Sequence, residues 1–141
     1  MKFARWVFVI AGIYGIIILT PMYFSEYQIG ITFPPAITHP EYYYGFIGTA
    51  LVWQILFFFL SVNPIRYKPI MLFAIAEKFV YGIAIIILFK QGRLAAMMLS
   101  SGIIDLLLGC LFIIAFFKTK ENNPAQTEEP KARTEENQPI K

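Results

Sequence analysis

The sequence predicts an all-α membrane protein, an antiparallel bundle of four transmembrane helices followed by a disordered C-terminal tail. Three observations lead to this fold class. Of the 141 residues, 57% are hydrophobic and only 15% are charged, which is too apolar for an ordinary soluble domain of this length. The charged residues cluster between long apolar runs or follow the last of them. Four of these runs are long enough to cross a bilayer as helices.

The four predicted spans each provide the roughly 20 apolar residues that a helix needs to cross ~30 Å of hydrocarbon. They cover residues 6–25, 42–65, 69–89 and 94–117. Proline and glycine mark their boundaries, because Pro40 and Pro69 suit the first position of a helix and Gly92 suits a left-handed turn after its end. We therefore predict one transmembrane domain over residues 1–117.

The two ends of the chain differ in character. Residues 118–141 are polar and of mixed charge, and they can bury too little apolar surface to fold, so we predict a disordered tail. The apolar run near the N-terminus could also belong to a signal peptide. Pro21 and aromatic residues stand where a peptidase needs small side chains, so we expect the first span to be retained.

Lysine and arginine outside the spans predict the orientation. With the N-terminus inside, only Lys90 and Arg93 lie on the outer side, whereas nine basic residues are cytoplasmic: Lys2, Arg5, Arg66, Lys68, Lys118, Lys120, Lys131, Arg133 and Lys141. Positive charge is favoured on the cytoplasmic side of a membrane. We therefore predict a multi-pass protein of the bacterial inner membrane with both termini in the cytoplasm.

Residue counts exclude several classes of function. Cys110 is the only cysteine, so the chain alone forms no disulfide and no thiolate metal cage. His39 is the only histidine, which excludes a bis-histidine haem within one chain. The net charge of +3 is not gathered in a basic patch with interleaved aromatic residues. We predict no metal site, no cofactor and no nucleic-acid partner.

A polar layer is predicted at the middle of the membrane, because every span has a polar residue near its midpoint. These residues are Tyr14, Gln54, Glu77, Lys78 and Asp105, and at a rise of ~1.5 Å per residue they lie within about 3 Å of one plane. Each charge at this depth costs roughly 2.5 to 3.5 kcal/mol if it faces lipid. We therefore expect the charged side chains to face one another inside the bundle.

Two further residues extend this layer, since Tyr81 follows Glu77 by four positions and Ser101 precedes Asp105 by four. The candidate ligand-binding residues are therefore Tyr14, Gln54, Glu77, Lys78, Tyr81, Ser101 and Asp105. The three charges sum to −1, which a proton or a bound cation would balance. An alternative interpretation is an inter-helix ion pair that only fixes packing, with Gln54 and Tyr14 as hydrogen-bonding partners.

Two weaker patterns also have both a functional and a structural interpretation. His39 and Glu41 could form an acid/base pair at the outer mouth of the bundle, or could serve only the start of a helix through capping and the helix dipole. Three pairs of glycines are expected to let helices approach closely: Gly12 and Gly15, Gly45 and Gly48, and Gly102 and Gly109.

Several short motifs resemble those of small four-helix bacterial membrane proteins of unknown function, which are DoxX-like in layout. They are segments 39–46, 63–69 and 105–109 and the Glu77-Lys78 pair. The resemblance implies an accessory role, since some DoxX-like proteins are small subunits of quinone-reducing complexes. The layout is also similar to the EXPERA group of sterol isomerases and binding proteins, although this chain has no histidine at membrane depth.

These observations favour an accessory or small-ligand-binding membrane protein that holds a lipid, a quinone or a similar apolar molecule at the polar layer. We expect it to contact the lipid bilayer and a larger membrane partner or further copies of itself. Two alternatives stay open. One is a membrane-embedded isomerase with Glu77 or Asp105 as its acid/base, and the other is a proton-coupled carrier acting as an oligomer. The catalytic residues of such an enzyme are unknown.

Overall fold

The computed structural model describes residues 2–119, most of which belong to five α-helices. In chain order these are α1 (Lys2–Met22), α2 (Glu26–Thr32), α3 (Pro40–Val62), α4 (Lys68–Lys90) and α5 (Ala96–Lys118). The predicted disordered tail, apart from its first two residues, lies outside the described part of the chain.

Four of the helices, α1, α3, α4 and α5, are long and apolar enough to cross a membrane. Helices α3, α4 and α5 have 23 residues each. At the rise of an α-helix each is about 35 Å long, which exceeds the thickness of the hydrocarbon. The predicted all-α class with four membrane-length helices is confirmed, and the protein is a multi-pass membrane protein. The bounds differ from the predicted spans by a few residues at each end.

The largest difference is at α1, which begins at Lys2 instead of residue 6. A basic side chain can continue a helix beyond the apolar run, because its long stem lets the charged head reach water. The helix ends at Met22, with Pro21 in its last turn. The hydroxyl of Ser25 donates a hydrogen bond to the carbonyl of Pro21 at 2.8 Å.

The C-terminus of α4 follows the sequence prediction. Gly92 has a φ of 68°, the left-handed conformation that glycine adopts without steric cost. Its N–H donates to the carbonyl of Phe89 at 2.9 Å, and the N–H of Arg93 donates to the carbonyl of Leu88 at 3.0 Å. Together these two bonds form a Schellman motif, which satisfies carbonyls that the helix leaves free.

The short helix α2 was not predicted from the sequence. Its seven residues are too few for an apolar periodicity to be recognised. Tertiary contacts secure this segment, since the Tyr44 hydroxyl donates to the Glu26 carboxylate at 2.8 Å and the Tyr43 hydroxyl donates to the carbonyl of Met22. Both tyrosines belong to the first turns of α3, so the connection folds back on the helix that follows it.

The four long helices pack as two antiparallel pairs, α1 with α3 and α4 with α5. Small residues bring the helices of each pair close together. A Cβ built on Gly102 would lie 2.7 Å from Ile85, and one built on Gly82 would lie 2.6 Å from Leu106. From one contact to the next, the residue number rises in α5 and falls in α4, so the two helices run in opposite directions. Packing between the two pairs is looser.

The predicted role of glycine is confirmed at four positions and wrong at two. Built Cβ atoms would crowd neighbouring side chains at Gly12, Gly15, Gly102 and Gly109. At Gly45 and Gly48 a Cβ would meet nothing within 4 Å. These two glycines lie in the first half of α3, and a side chain at either position would begin in open space.

One hydrophobic cluster fills one half of the bundle, whereas Ile47 and Ile85 are the buried hydrophobic residues of the other half among those described. The buried members of the cluster are Ala4, Val7, Phe8 and Ala11 of α1, Phe57 and Leu60 of α3, Met71 and Ala74 of α4, and Phe112 and Ala115 of α5. All of them lie between the midplane and the end at which α1 begins, which we call the packed half. The Phe112 ring joins the two pairs there, with centroids 4.5 Å from Phe8 and 5.1 Å from Phe57.

The other half, from the midplane to the end that carries α2, contains far less buried side-chain volume. Of the largest fully buried side chains in residues 2–119, only Ile47 belongs to it. Across the two pairs, Phe46 of α3 stacks on Tyr81 of α4 with ring centroids 5.7 Å apart. We call this region the loose half. The polar layer lies where the packed half gives way to it.

Candidate functional site

The centre of the site is an ion-paired group formed by α4 and α5. The Lys78 ammonium lies 3.3 Å from Oδ1 and 3.2 Å from Oδ2 of Asp105 and donates a hydrogen bond to each. It also lies 3.4 Å from Oε1 of Glu77, to which it donates a third. Depth alone predicted that these three residues share a plane, and the helix packing brings their side chains into contact.

Lys78 is enclosed by residues of three helices. Its side chain is only 6% exposed, and its ammonium lies 5.4 Å from the centroid of the Phe57 ring on α3. The stem of Lys78 passes close to Gly109 of α5, since a Cβ built on that glycine would lie 3.3 Å from the Lys78 Cβ. A buried ammonium that is removed from water in this way requires anionic partners.

The carboxylate of Glu77 accepts fewer hydrogen bonds than that of Asp105. Its Oε2 atom lies 3.2 Å from the Lys78 ammonium, but it is buried and accepts no hydrogen bond of acceptable geometry from any described residue. The side chains of Glu77 and Asp105 are 19% and 14% exposed, so both are largely removed from the surface. The Lys78 ammonium therefore pairs with two carboxylates, and the buried Oε2 atom of Glu77 remains without a hydrogen bond from the described residues.

A second polar contact lies one helical turn further into the loose half. The hydroxyls of Tyr81 on α4 and Ser101 on α5 are 3.1 Å apart and hydrogen-bonded. Ser101 also donates to the carbonyl of Met98 at 2.7 Å, so Tyr81 is the donor in the bond between them. On α1, Tyr14 is half-buried at a similar depth. These residues line the loose half next to the carboxylates.

Gln54 occupies a different environment from the other candidates. It is buried, at 2% exposure, but its amide donates to the carbonyl of Ala50 in its own helix at 2.9 Å. Its side chain packs over Gly15, where a built Cβ would come within 2.1 Å of the Gln54 amide oxygen. Gln54 thus shares the depth of the layer while filling the interface between α1 and α3.

The structure places His39 and Glu41 far from the layer. Their side chains lie 3.1 Å apart and are 67% and 64% exposed. Thirteen residues separate Glu41 from Gln54, which is ~20 Å along the helix. His39 occupies the N-cap position of α3 without a capping side-chain hydrogen bond. The two residues contact each other at the surface and take no part in the polar layer.

Two aromatic residues at the site were missed in the sequence. Phe57 lies under the Lys78 ammonium, and Phe46 stacks on Tyr81. Phe57 belongs to a run of three phenylalanines, and a helix that is apolar on every side gives no signal of which ring faces inward. Only the direction of a polar neighbour, such as Gln54 one turn before Phe57, could have indicated the inner face.

Two negative observations complete the description of the site. Within residues 2–119, no group of three or more histidine, cysteine, aspartate or glutamate residues could hold a metal ion. A cleft of about 330 Å³ lies beside α2, away from the polar layer, and its lining residues are Glu26, Tyr27, Gly30, Ile31, Ala36 and Ile37.

Comparison of the chain with protein-family models, curated proteins and solved structures found no match.

Proposed function

We propose that the protein binds a small, largely apolar molecule whose hydrogen-bond-donating group meets Glu77 at the polar layer. The observation that supports this most is the buried Oε2 atom of Glu77, which accepts no hydrogen bond from the described residues. Leaving a buried acceptor unsatisfied costs ~1–3 kcal/mol, and more for a charged group. A hydroxyl or amine of a bound molecule would remove this cost.

Charge also favours a ligand that donates hydrogen bonds. A pair that only fixed helix packing would need one carboxylate for Lys78, and Asp105 already provides both of its oxygens at 3.3 Å or less. Glu77 adds a second negative charge at a depth where each unpaired charge is costly. A proton or a donor from a ligand would stabilise this second carboxylate, whereas an additional acceptor would repel it.

The apolar part of such a molecule would lie in the loose half, where fewer side chains are buried. Buried side chains fill the packed half up to Phe57 and Ala74, so a ligand that reaches Glu77 would approach from the opposite side. Tyr81 and Ser101 flank that approach with hydroxyl groups, and Tyr14 is half-buried at a similar depth on α1. A lipid, a sterol-like alcohol or a reduced quinone has the required combination of an apolar body and a hydroxyl donor.

The orientation belongs to the same proposal. Within the described residues, the packed half ends in five basic side chains: Lys2, Arg5, Arg66, Lys68 and Lys118. The loose half ends in Lys90 and Arg93 together with Glu26 and Glu41. The preference for positive charge on the cytoplasmic side favours a packed half that faces the cytoplasm, so that the ligand would reach the layer from the outer leaflet.

Ligand retention in the Glu77→Met variant tests the proposal. The substitution removes the acceptor oxygens, keeps a side chain of similar length and leaves Lys78 paired with Asp105, so we expect the fold to persist. Glu41→Met is the matched control, because it removes an exposed carboxylate far from the layer. Each protein would be extracted from its native membrane in mild detergent and examined by native mass spectrometry.

We expect a small-molecule adduct on the wild-type protein and on Glu41→Met, and roughly tenfold less adduct on Glu77→Met, which corresponds to the loss of one charge-assisted hydrogen bond. Equal retention by all three proteins would place the ligand elsewhere. If the wild-type protein retained no small molecule under conditions that preserve bound lipid, the ion-paired group of Glu77, Lys78 and Asp105 would have to be regarded as a packing element.

A further inference from the structure

Cationic side chains converge at the end of the packed half. Lys2 and Arg5 belong to the first turn of α1, Arg66 to the turn between α3 and α4, Lys68 to the start of α4, and Lys118 to the last turn of α5. Because neighbouring helices are antiparallel, these positions share one end of the bundle, which we call the basic end. Within residues 2–119 the basic end contains no aspartate or glutamate.

The residues that follow Thr119 cannot neutralise this charge by composition alone. They include four basic and five acidic side chains, for a net charge of −1 against the +5 of the basic end. The two sums together leave +4, an excess that anions from outside the chain would balance.

Aromatic rings hold several of these cations at defined positions. The Lys118 ammonium lies 4.6 Å from the centroid of the Phe3 ring, which joins the end of α5 to the start of α1. The Arg66 guanidinium lies 5.8 Å from the centroid of the Tyr67 ring, and Tyr67 packs against the core. An ammonium or guanidinium on a ring face keeps other N–H groups directed outward.

The depth of the basic end matches the level of phospholipid phosphates. The spanning helices are 21 or 23 residues long, whereas about 20 residues cross the hydrocarbon. Their terminal turns therefore lie in the headgroup region, where basic clusters attract anionic lipids. The positive-inside preference explains why the cations share a side, but it requires no ring contacts between separate helices.

We propose that the basic end binds the headgroup phosphate of an anionic phospholipid, with Arg66 and Lys118 as its principal contacts. This site is separate from the polar layer and does not depend on the proposed ligand of Glu77. Arg66 and Lys118 are exposed, so neutralising them removes charge without disturbing the core. The occupant is a lipid that remains attached to the bilayer, and free phosphate lacks the acyl chains that would place it between the helix ends.

Lipid selectivity of paired variants provides the test. The double variant Arg66→Gln/Lys118→Gln removes two exposed cations from the basic end, and Lys90→Gln/Arg93→Gln removes two exposed cations from the opposite end. The full-length proteins in mild detergent would be mixed with phosphatidylglycerol, phosphatidylcholine or inorganic phosphate. Native mass spectrometry would count the lipid molecules retained, and the melting temperature would report stabilisation.

We expect the wild-type protein and the Lys90/Arg93 variant to prefer phosphatidylglycerol over phosphatidylcholine, and the Arg66/Lys118 variant to lose roughly 25-fold in that preference, since each of the two cations contributes about fivefold. The charge-preserving Arg66→Lys/Lys118→Arg variant should retain most of it. Equal losses in both neutralised variants would overturn the proposal. Two other results would also overturn it. One is that inorganic phosphate stabilises the protein as strongly as lipid does, and the other is that the preference for phosphatidylglycerol appears only after truncation at Thr119.

Discussion

Replacing Lys78 by methionine should destabilise the bundle more than any other single change in the polar layer. The ammonium is the only cation within ion-pairing distance of Asp105 and Glu77 among the described residues. At 3.2 Å and an effective dielectric constant of ~20, each pair contributes about 5 kcal/mol of Coulomb energy. Much of this only offsets the cost of removing the charges from water. Breaking a buried pair from one side typically costs ~3–5 kcal/mol, and we expect the same loss for Lys78→Met.

The geometry also predicts which combination of changes restores stability. Lys78→Met/Asp105→Asn still leaves the Glu77 carboxylate buried and unpaired, so it should recover only part of the loss. Adding Glu77→Gln gives a layer without charge and should recover most of it, because helix contacts in lipid do not require an ion pair. The single variant Glu77→Gln should be neutral or slightly stabilising, since Lys78 keeps Asp105.

Unfolding free energies in mixed detergent micelles, measured for all members of this mutant cycle, would test the reasoning. The cycle yields a coupling energy for each pair, and we expect values above ~1 kcal/mol for Lys78 with Asp105. If Lys78→Met and Asp105→Asn were simply additive, the two side chains would not interact in the membrane. A destabilising Glu77→Gln would equally refute the view that the second carboxylate is a cost to folding.

Three further predictions concern packing, orientation and the tail. Gly102→Ala should destabilise by ~1–3 kcal/mol in the same unfolding assay, because its Cβ would lie 2.7 Å from a β-branched neighbour, whereas Gly45→Ala, with open space around it, should change stability by less than ~0.5 kcal/mol. In a cysteine-free background, a cysteine at Tyr27 should react with an impermeant thiol reagent on intact cells and one at Thr127 should not; the opposite pattern would reverse the orientation. Truncation after Thr119 should leave the melting temperature in detergent unchanged, since the removed residues are polar and of mixed charge, and a clear decrease would show that they pack on the bundle.

The features that the sequence predicted well are those that depend on local counting. Length and apolar content identify spanning helices because hydrocarbon thickness fixes the number of residues required. The depth of Glu77, Lys78 and Asp105 follows from their distance to the ends of their helices. The cost of charge in lipid then requires these side chains to face inward, so their meeting could be predicted before any tertiary contact was known.

The features that the sequence missed depend on the rotation of each helix about its axis. Gln54 has the right depth but fills the interface with α1, because Gly15 leaves room for it there. Gly45 and Gly48 resemble a close-packing motif, yet a Cβ built on either would meet no described residue within 4 Å. In helices that are apolar on every side, periodicity does not identify the buried face, so neither the pairing of the helices nor the loose half could be predicted.

An experimental structure of the protein, purified with its native lipids and solved at a resolution that shows side chains, would test the central claim most directly. We predict non-protein density in the loose half, between the α1–α3 and α4–α5 pairs, with one polar atom of the bound molecule ~2.6–3.2 Å from Oε2 of Glu77. Native mass spectrometry of the same sample should give the mass of that molecule. A loose half filled by its own side chains, with Oε2 of Glu77 bonded to a protein donor and no density beside it, would contradict the account.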